Sequence, residues 1–262
     1  MDREAYIHGY SEAVVYEMQS RTAEAFAGFL IPLLNSGFSM LDCGCGPGTV
    51  TAGFRAYLGE GRLVGVDISE EQINIANESV ADDANTEFQA ADVYNLPFDD
   101  DTFDVVFSHT LLEHVSNPVD ALVEMKRVLK PGGLIATKNG DRGGQVPIVN
   151  SPTLDKAFRL HTAMAAEGGS DMDVGRRQHA HVLSAGFEKV SSTTSTHFYD
   201  SEGVKDRFAA LARGWCLQVF EAGRLTEDEF QACLGEIDRL EADPSGHVNL
   251  AVYWETVGRK GL

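Results

Sequence analysis

The segment Met40-Leu41-Asp42-Cys43-Gly44-Cys45-Gly46-Pro47-Gly48-Thr49 sets an acid just ahead of three glycines at alternate positions. Glycine accepts positive φ and lets backbone N–H groups approach a ligand with no Cβ in the way. An apolar approach followed by such a turn describes a buried strand bending sharply into a helix. Asp42 stands where a pyrophosphate-binding strand usually carries no charge, which points to a ligand with a cationic, amino-acid-like end. S-adenosylmethionine (SAM) has that end. Further polar groups follow at later strand ends. Asp67 is placed to accept from both hydroxyls of a ribose, Asp92-Val93 to meet an adenine amino group, and Ser108-His109-Thr110 to stand at the mouth of the site. Two rival glycine motifs fail. A dinucleotide fingerprint needs glycine at 49, where the chain has Thr49, and no Gly-Lys-Ser/Thr follows the turn as a P-loop requires.

Hydrophobic periodicity supplies the elements that would hold these groups. Residues 11–34 read as one helix with Val14, Val15, Met18, Phe26, Phe29 and Leu33 on a stripe. Strands at 39–43, 63–67, 86–90, 103–108 and 134–138 then alternate with helices at 49–58, 70–80 and 119–129, the second capped by Ser69 and the third stopped by Pro131-Gly132-Gly133. Strands separated by helices of about ten residues imply a doubly wound parallel sheet with right-handed crossovers. Ligands of such sheets sit beyond the carboxyl ends of the strands. Helices are expected at 153–167, 174–185, 202–222 and 226–242, with strands at 187–199 and 248–257.

Composition narrows the partners. Forty acids against 21 bases give a net charge of −19, a field that repels phosphate backbones and anionic lipid. Neither nucleic acid nor a membrane is therefore expected as a partner. No apolar run reaches the roughly 18–20 residues of a membrane span, and Met1-Asp2-Arg3-Glu4 lacks the basic start of a signal peptide. A cytoplasmic location is the expectation. Cys43-Gly44-Cys45 is too closely spaced for structural zinc, and His179-Ala180-His181 on a helix would diverge by about 200°. No metal is expected.

Taken together, Leu41 to Gly48, Gly65-Val66-Asp67-Ile68-Ser69, Ala91-Asp92-Val93 through Leu96-Pro97-Phe98, Phe103-Asp104-Val105-Val106, Leu111-Leu112-Glu113-His114 and Arg127 to Gly133 resemble a class I SAM-dependent methyltransferase. The likeness is closest to the type 11 group, which includes ubiquinone/menaquinone methyltransferases and many natural-product enzymes. It covers residues 36–140 in order. Gly168-Gly169, Gly175-Arg176-Arg177 and Ala185-Gly186-Phe187 are similar to a small-molecule branch, and Tyr6 to Tyr10 with Arg21-Thr22-Ala23 to its N-terminal lid.

The resemblance implies a Rossmann-like, doubly wound seven-stranded sheet, mostly parallel with an antiparallel last strand, carrying a helical lid. Residues 1–35 would form the N-terminal lid and 36–140 the SAM-binding core. Residues 141–262 would supply lid helices and the last two strands of the same sheet. Asp42, Gly44, Gly46 and Gly48 would surround the methionine part, Asp67 would hold the ribose, and Cys45 and Gln72 would be further cofactor-binding residues. Ile68, Asp92 and Val93 would meet the adenine, with Ser108 and His109 at the methyl-donor end. Tyr10 and Arg21 would close over the cofactor, Arg21 pairing its carboxylate. The implied reaction is methyl transfer to a small-molecule acceptor in secondary or cofactor metabolism, the attacking atom being O, N, C or S, by a monomer or homodimer. His109 is the candidate base where the acceptor keeps a proton, and S-adenosylhomocysteine (SAH) the product. A SAM-binding protein of the same fold without methyl transfer (a cyclase, decarboxylase or regulatory binder) is the alternative.

Overall fold

The computed structural model describes residues 12–80, 83–144, 151–199, 204–243 and 248–262. Seven strands form one sheet in the order β3-β2-β1-β4-β5-β7-β6. They are β1 (Met40–Cys43), β2 (Leu63–Asp67), β3 (Thr86–Ala90), β4 (Phe103–His109), β5 (Leu129–Asp141), β6 (Glu188–Tyr199) and β7 (Val248–Arg259). Pairs among β1 to β5 are parallel, and β7 runs antiparallel to both β5 and β6. All four residues of β1 are buried, as is β4 except at Asp104, because helices cover both faces. On one face α6 (Pro118–Val128) and α8 (Gly175–Ser184) pack against Val64, Val66, Val106 and Ile135. On the other lie α2 (Ala23–Ala27), α3 (Thr49–Gly53), α4 (Arg55–Leu58) and α5 (Glu70–Ser79), where Phe54, Leu58 and Leu30 are buried against Phe107 and Met40, and Ile73 and Ala76 against Phe88.

Three local expectations are corrected. The helix expected over 11–34 is broken into α1 (Glu12–Gln19), α2 and a 3-10 turn at Ile31–Leu33. Thr22 takes an extended backbone and its hydroxyl accepts from Ala25 N–H at 3.3 Å, so it starts a new helix instead of continuing the old one. The helix expected over 49–58 is likewise divided at Phe54. Strand β5 begins at Leu129, not 134: Pro131-Gly132-Gly133 form a bulge inside it, Gly132 at φ +75°, and pairing resumes at Val105 with Leu134.

Helices α7 (Pro152–Glu167), α9 (Val204–Glu221) and α10 (Glu227–Ala242) pack a second apolar core of Leu154, Phe158, Trp215, Val219, Cys233 and Ile237. Helix α8 is tied to the sheet by Gln178. Its Oε1 accepts from Asn139 Nδ2 at 2.7 Å, and its Nε2 donates to Trp254 O at 2.7 Å and Thr256 Oγ1 at 2.8 Å.

Gly65, in the middle of β2, shows how tightly the site end of the sheet is built. A Cβ there would stand 2.4 Å from the Phe88 ring and 3.0 Å from Cys45 Sγ. Gly65→Ala is expected to lower stability by about 2–3 kcal/mol through overpacking. A reduced urea midpoint with an unchanged m-value would register it.

Candidate active site

The parallel strands β1 to β4 end on one edge, so their terminal residues meet there. Gly44, Gly46 and Gly48 sit at φ +74°, +54° and +80°, which a side chain rarely adopts. The turn folds back on β2: Gly44 and Cys45 N–H both donate to Val66 O, at 2.7 and 3.0 Å. Gly46 N–H donates to Asp67 Oδ2 and Ser69 N–H to Asp67 Oδ1, each at 2.9 Å. Both carboxylate oxygens are thus fixed in direction and keep further acceptor capacity. Burial raises the Asp67 carboxyl, against the pull of those amides.

Asp42 is buried in β1. Its Oδ2 accepts from Thr51 Oγ1 at 2.6 Å, and among the described residues nothing donates to Oδ1. Burial pushes the carboxyl to about 7, over the pull of Thr51 and with the Asp67 charge adding. An ionised, half-satisfied carboxylate in such a place is costly unless a cation meets it.

Two recesses open from these groups. The smaller, about 30 Å³, is walled by Asp42, Cys45, Thr49 and Arg21. The larger, about 110 Å³, is walled by Asp67, Ile68, Asp92, Val93, Leu111 and His114. Met18, Gly44, His109 and Thr110 line both, so the two meet there. Ile68 is 46% exposed, an apolar platform beside the larger recess. Asp92 is exposed, its Oδ1 accepting from Tyr94 N–H at 2.9 Å. Met18 reaches over from the end of α1, whose carbonyl accepts from Thr49 Oγ1 at 3.0 Å. Thr110 takes φ +52°, strained for a β-branched residue, where β4 leaves the sheet.

Not every expected residue reaches a recess. Ser108 alternates in direction with His109; it is fully buried and lines neither. Gln72 is also fully buried and lines neither, and among the described residues neither amide atom of its side chain is hydrogen-bonded. Gly46 and Gly48 shape the turn rather than wall a recess: a Cβ on Gly46 would lie 2.7 Å from Met18 Cε, and one on Gly48 2.7 Å from Ala76 Cβ. The Cys45 thiol is pushed well up by burial and stays protonated. Tyr10 lies outside the described residues. His179 is on α8, as the spacing implied, and its Nδ1 lies 2.8 Å from Ser192 Oγ.

Around His109 the structure adds residues that sequence reasoning missed. Its ring lies 5.3 Å from Phe26 and 6.2 Å from Tyr253. Lys138, its register partner on β5, is buried over the same two rings and pairs with Glu255 at 3.0 Å. His114 is driven down to about 3 by burial, with the Arg142 and Arg21 charges adding, so it stays neutral and is a very weak base. Glu113 is pushed up to about 7 by burial, with Arg142 the strongest opposing pull.

The two joined recesses thus set Asp42 and Arg21 at one end and Asp67, Ile68, Asp92 and Val93 at the other. A family profile described as a methyltransferase domain matches residues 41–137. An uncharacterized methyltransferase of Schizosaccharomyces pombe is 37% identical over 219 residues, which cover 78% of this chain and 77% of the relative. The 27-O-demethylrifamycin SV methyltransferase of Amycolatopsis mediterranei is 30% identical over 252 residues, covering 93% of this chain and 87% of the relative. Among solved structures, phosphoethanolamine N-methyltransferase 2 of Haemonchus contortus, in complex with phosphomonomethylethanolamine and SAH, has a TM-score of 0.63 at 18% identity. It covers 95% of this chain and 57% of that one, a likeness of fold.

Proposed function

Because the chain belongs to the SAM-dependent methyltransferases, we propose that it methylates a small organic acceptor in secondary or cofactor metabolism. The observation that carries this reading is the junction of the two recesses at Gly44 and His109, with Asp42 and Arg21 on one side and Asp67, Ile68 and Asp92 on the other. When bound, the cofactor supplies a methyl group on a sulfonium, open to in-line displacement with a neutral leaving group. The chain's own residues have four tasks. Asp42 and Arg21 hold the amino-acid end, and Asp67 fixes the ribose. Ile68 would pack on the adenine, whose amino edge Asp92 and Val93 would meet. Met18, at the end of α1, covers the junction and excludes water, so the reaction gains mainly from alignment.

His109 is the group nearest the junction able to accept a proton from a phenol or enol acceptor. Residues 36–140 serve as the cofactor core, with the described residues 12–35 and the helices within 151–243 closing over it. The net charge of −19 supports a small acceptor over nucleic acid. Incubation of the protein with SAM and a panel of phenols, amines, thiols and enols, with SAH read by mass spectrometry, tests the reading. Acceptor-dependent SAH is expected from at least one class. Tight SAM binding with no SAH from any class would overturn methyl transfer.

A further inference from the structure

We propose that Lys138 is a positioning residue for His109: its buried ammonium keeps the imidazole neutral and so able to take a proton from the acceptor. The proposal rests on the reading of His109 as the base and deepens it. A row of side chains crosses the sheet at this level. His109 on β4 is the register partner of Lys138 on β5, Lys138 that of Glu255 on β7, and Glu255 that of Thr193 on β6. Residues paired in register point to the same face of a sheet, so the four stand side by side.

The row is closely tied. Lys138 Nζ donates to Glu255 Oε1 at 3.0 Å, Ser195 Oγ to the same oxygen at 2.7 Å, and Thr193 Oγ1 to Oε2 at 3.3 Å. Ammonium and imidazole also share two ring neighbours. Lys138 Nζ lies 5.8 Å from the Phe26 ring and 5.2 Å from that of Tyr253, and the His109 ring lies 5.3 and 6.2 Å from the same two. The Lys138 side chain is only 2% exposed. A buried ion pair adds little stability that well-packed apolar residues would not supply. This one ends against a histidine that lines both recesses, where a charge has a use beyond stability.

Strand order decides the sign of that effect. Neighbouring strands lie about 4.8 Å apart. The ammonium is one strand from His109 and the carboxylate two, so the pair presents its positive end to the imidazole. A like charge disfavours protonation. Burial pulls the Lys138 ammonium down, and Glu255 is the strongest opposing pull, so the carboxylate serves to keep Lys138 charged. Other groups face His109 as well. Arg21 and Asp42 line the smaller recess with it, and Asp67, Asp92 and the neutral His114 the larger. Arg21 acts in the same sense as Lys138, and the three carboxyls act in the opposite one. Without Lys138 they would favour an imidazolium, which has no lone pair left to accept a proton.

The test is the ionisation of His109 itself, followed by NMR in the full chain with isotope-labelled histidine. His109→Gln identifies its signal among those of the eight histidines. His109 is expected to titrate below about 6.5, the ordinary value. Lys138→Met combined with Glu255→Gln makes the pair neutral at similar volume and should raise the midpoint by about one pH unit. Lys138→Gln alone serves where that double variant does not fold. Lys138→Arg keeps the charge and should keep the low midpoint. A wild-type midpoint of about 6.5 or higher, or one that the neutral variants leave unmoved, overturns the proposal. So does an Lys138→Arg chain that titrates with the neutral variants. A purely structural pair would change the melting temperature and leave the midpoint in place. With a phenol or enol as acceptor, SAH formed by His109→Gln at the wild-type rate would instead remove His109 as the base, and with it the reading on which the proposal rests.

Discussion

Asp67→Ala is expected to weaken SAM binding by at least about 100-fold while leaving the chain folded. Each hydrogen bond between a ribose hydroxyl and a carboxylate contributes about 1.5–3 kcal/mol, and two are lost together. The carboxylate is also unusually well placed, since Gly46 and Ser69 N–H hold both of its oxygens at 2.9 Å. Those amides lie beside an open recess, where water replaces the lost acceptor, so the fold survives. Asp67→Asn keeps one acceptor oxygen without the charge and should fall between the two. Calorimetric titration with SAM measures the loss, and circular dichroism checks the fold. Wild-type affinity in Asp67→Ala would remove Asp67 from the site.

The second large effect is on pH. Asp42 and Glu113 are both pushed to about 7 by burial. Carboxyls raised in the folded state bind more protons there than in the unfolded chain between about pH 4 and 7. Their contribution to stability is therefore greatest at low pH and is lost as pH rises through 7. Each carboxyl contributes a fall of about 2 kcal/mol between pH 5.5 and 7.5, and His114 and His161, held neutral by burial, each offset about 1.4 kcal/mol of it, so the ligand-free protein should lose about 1–2 kcal/mol net, visible as a falling melting temperature. Cofactor affinity should move the other way. A ligand ammonium meets ionised Asp42, so binding tightens by up to about tenfold from pH 6 to 7 and then levels. Asp42→Asn should flatten the affinity profile and weaken binding at pH 7.5 by about tenfold or more. Its stability profile should lose only part of the fall, because Glu113 remains; the double variant with Glu113→Gln should replace the fall by a rise, because His114 and His161 are held neutral by burial. A ligand-free protein whose melting temperature rises over this range would refute the assignment of Asp42 and Glu113.

Which features were legible in the sequence follows from how local their causes are. Strands β2 and β3 were read to the residue, because a short apolar or alternating run ends in Asp67 or Ala90 with turn residues beyond. The order of strand-end acids was legible for the same reason. The break at Thr22 was not. A threonine inside an apolar stripe reads as helix unless its hydroxyl is seen to accept from Ala25. The early start of β5 was hidden because Pro131-Gly132-Gly133 mark a stop in sequence and a bulge in the sheet. Lys138 and Arg142 were passed over because a lone cation near a strand end reads as surface. Their burial is set by Phe26, Tyr253, Phe158 and Trp215, which arrive from remote parts of the chain.

The position of β7 between β5 and β6 has a consequence for how the molecule is made. The four strands β1 to β4 that carry the cofactor groups, and β5 after them, emerge from the ribosome before β7, yet the ladder of β5 is complete only when β7 enters it. During synthesis β5 therefore presents an open row of backbone donors and acceptors, the kind of edge on which chains associate wrongly. Closure joins segments more than a hundred residues apart, Lys138 to Glu255 among them, so it is a slow step. Co-translational chaperone dependence and loss of soluble yield on removal of β7 are what this order of assembly imposes.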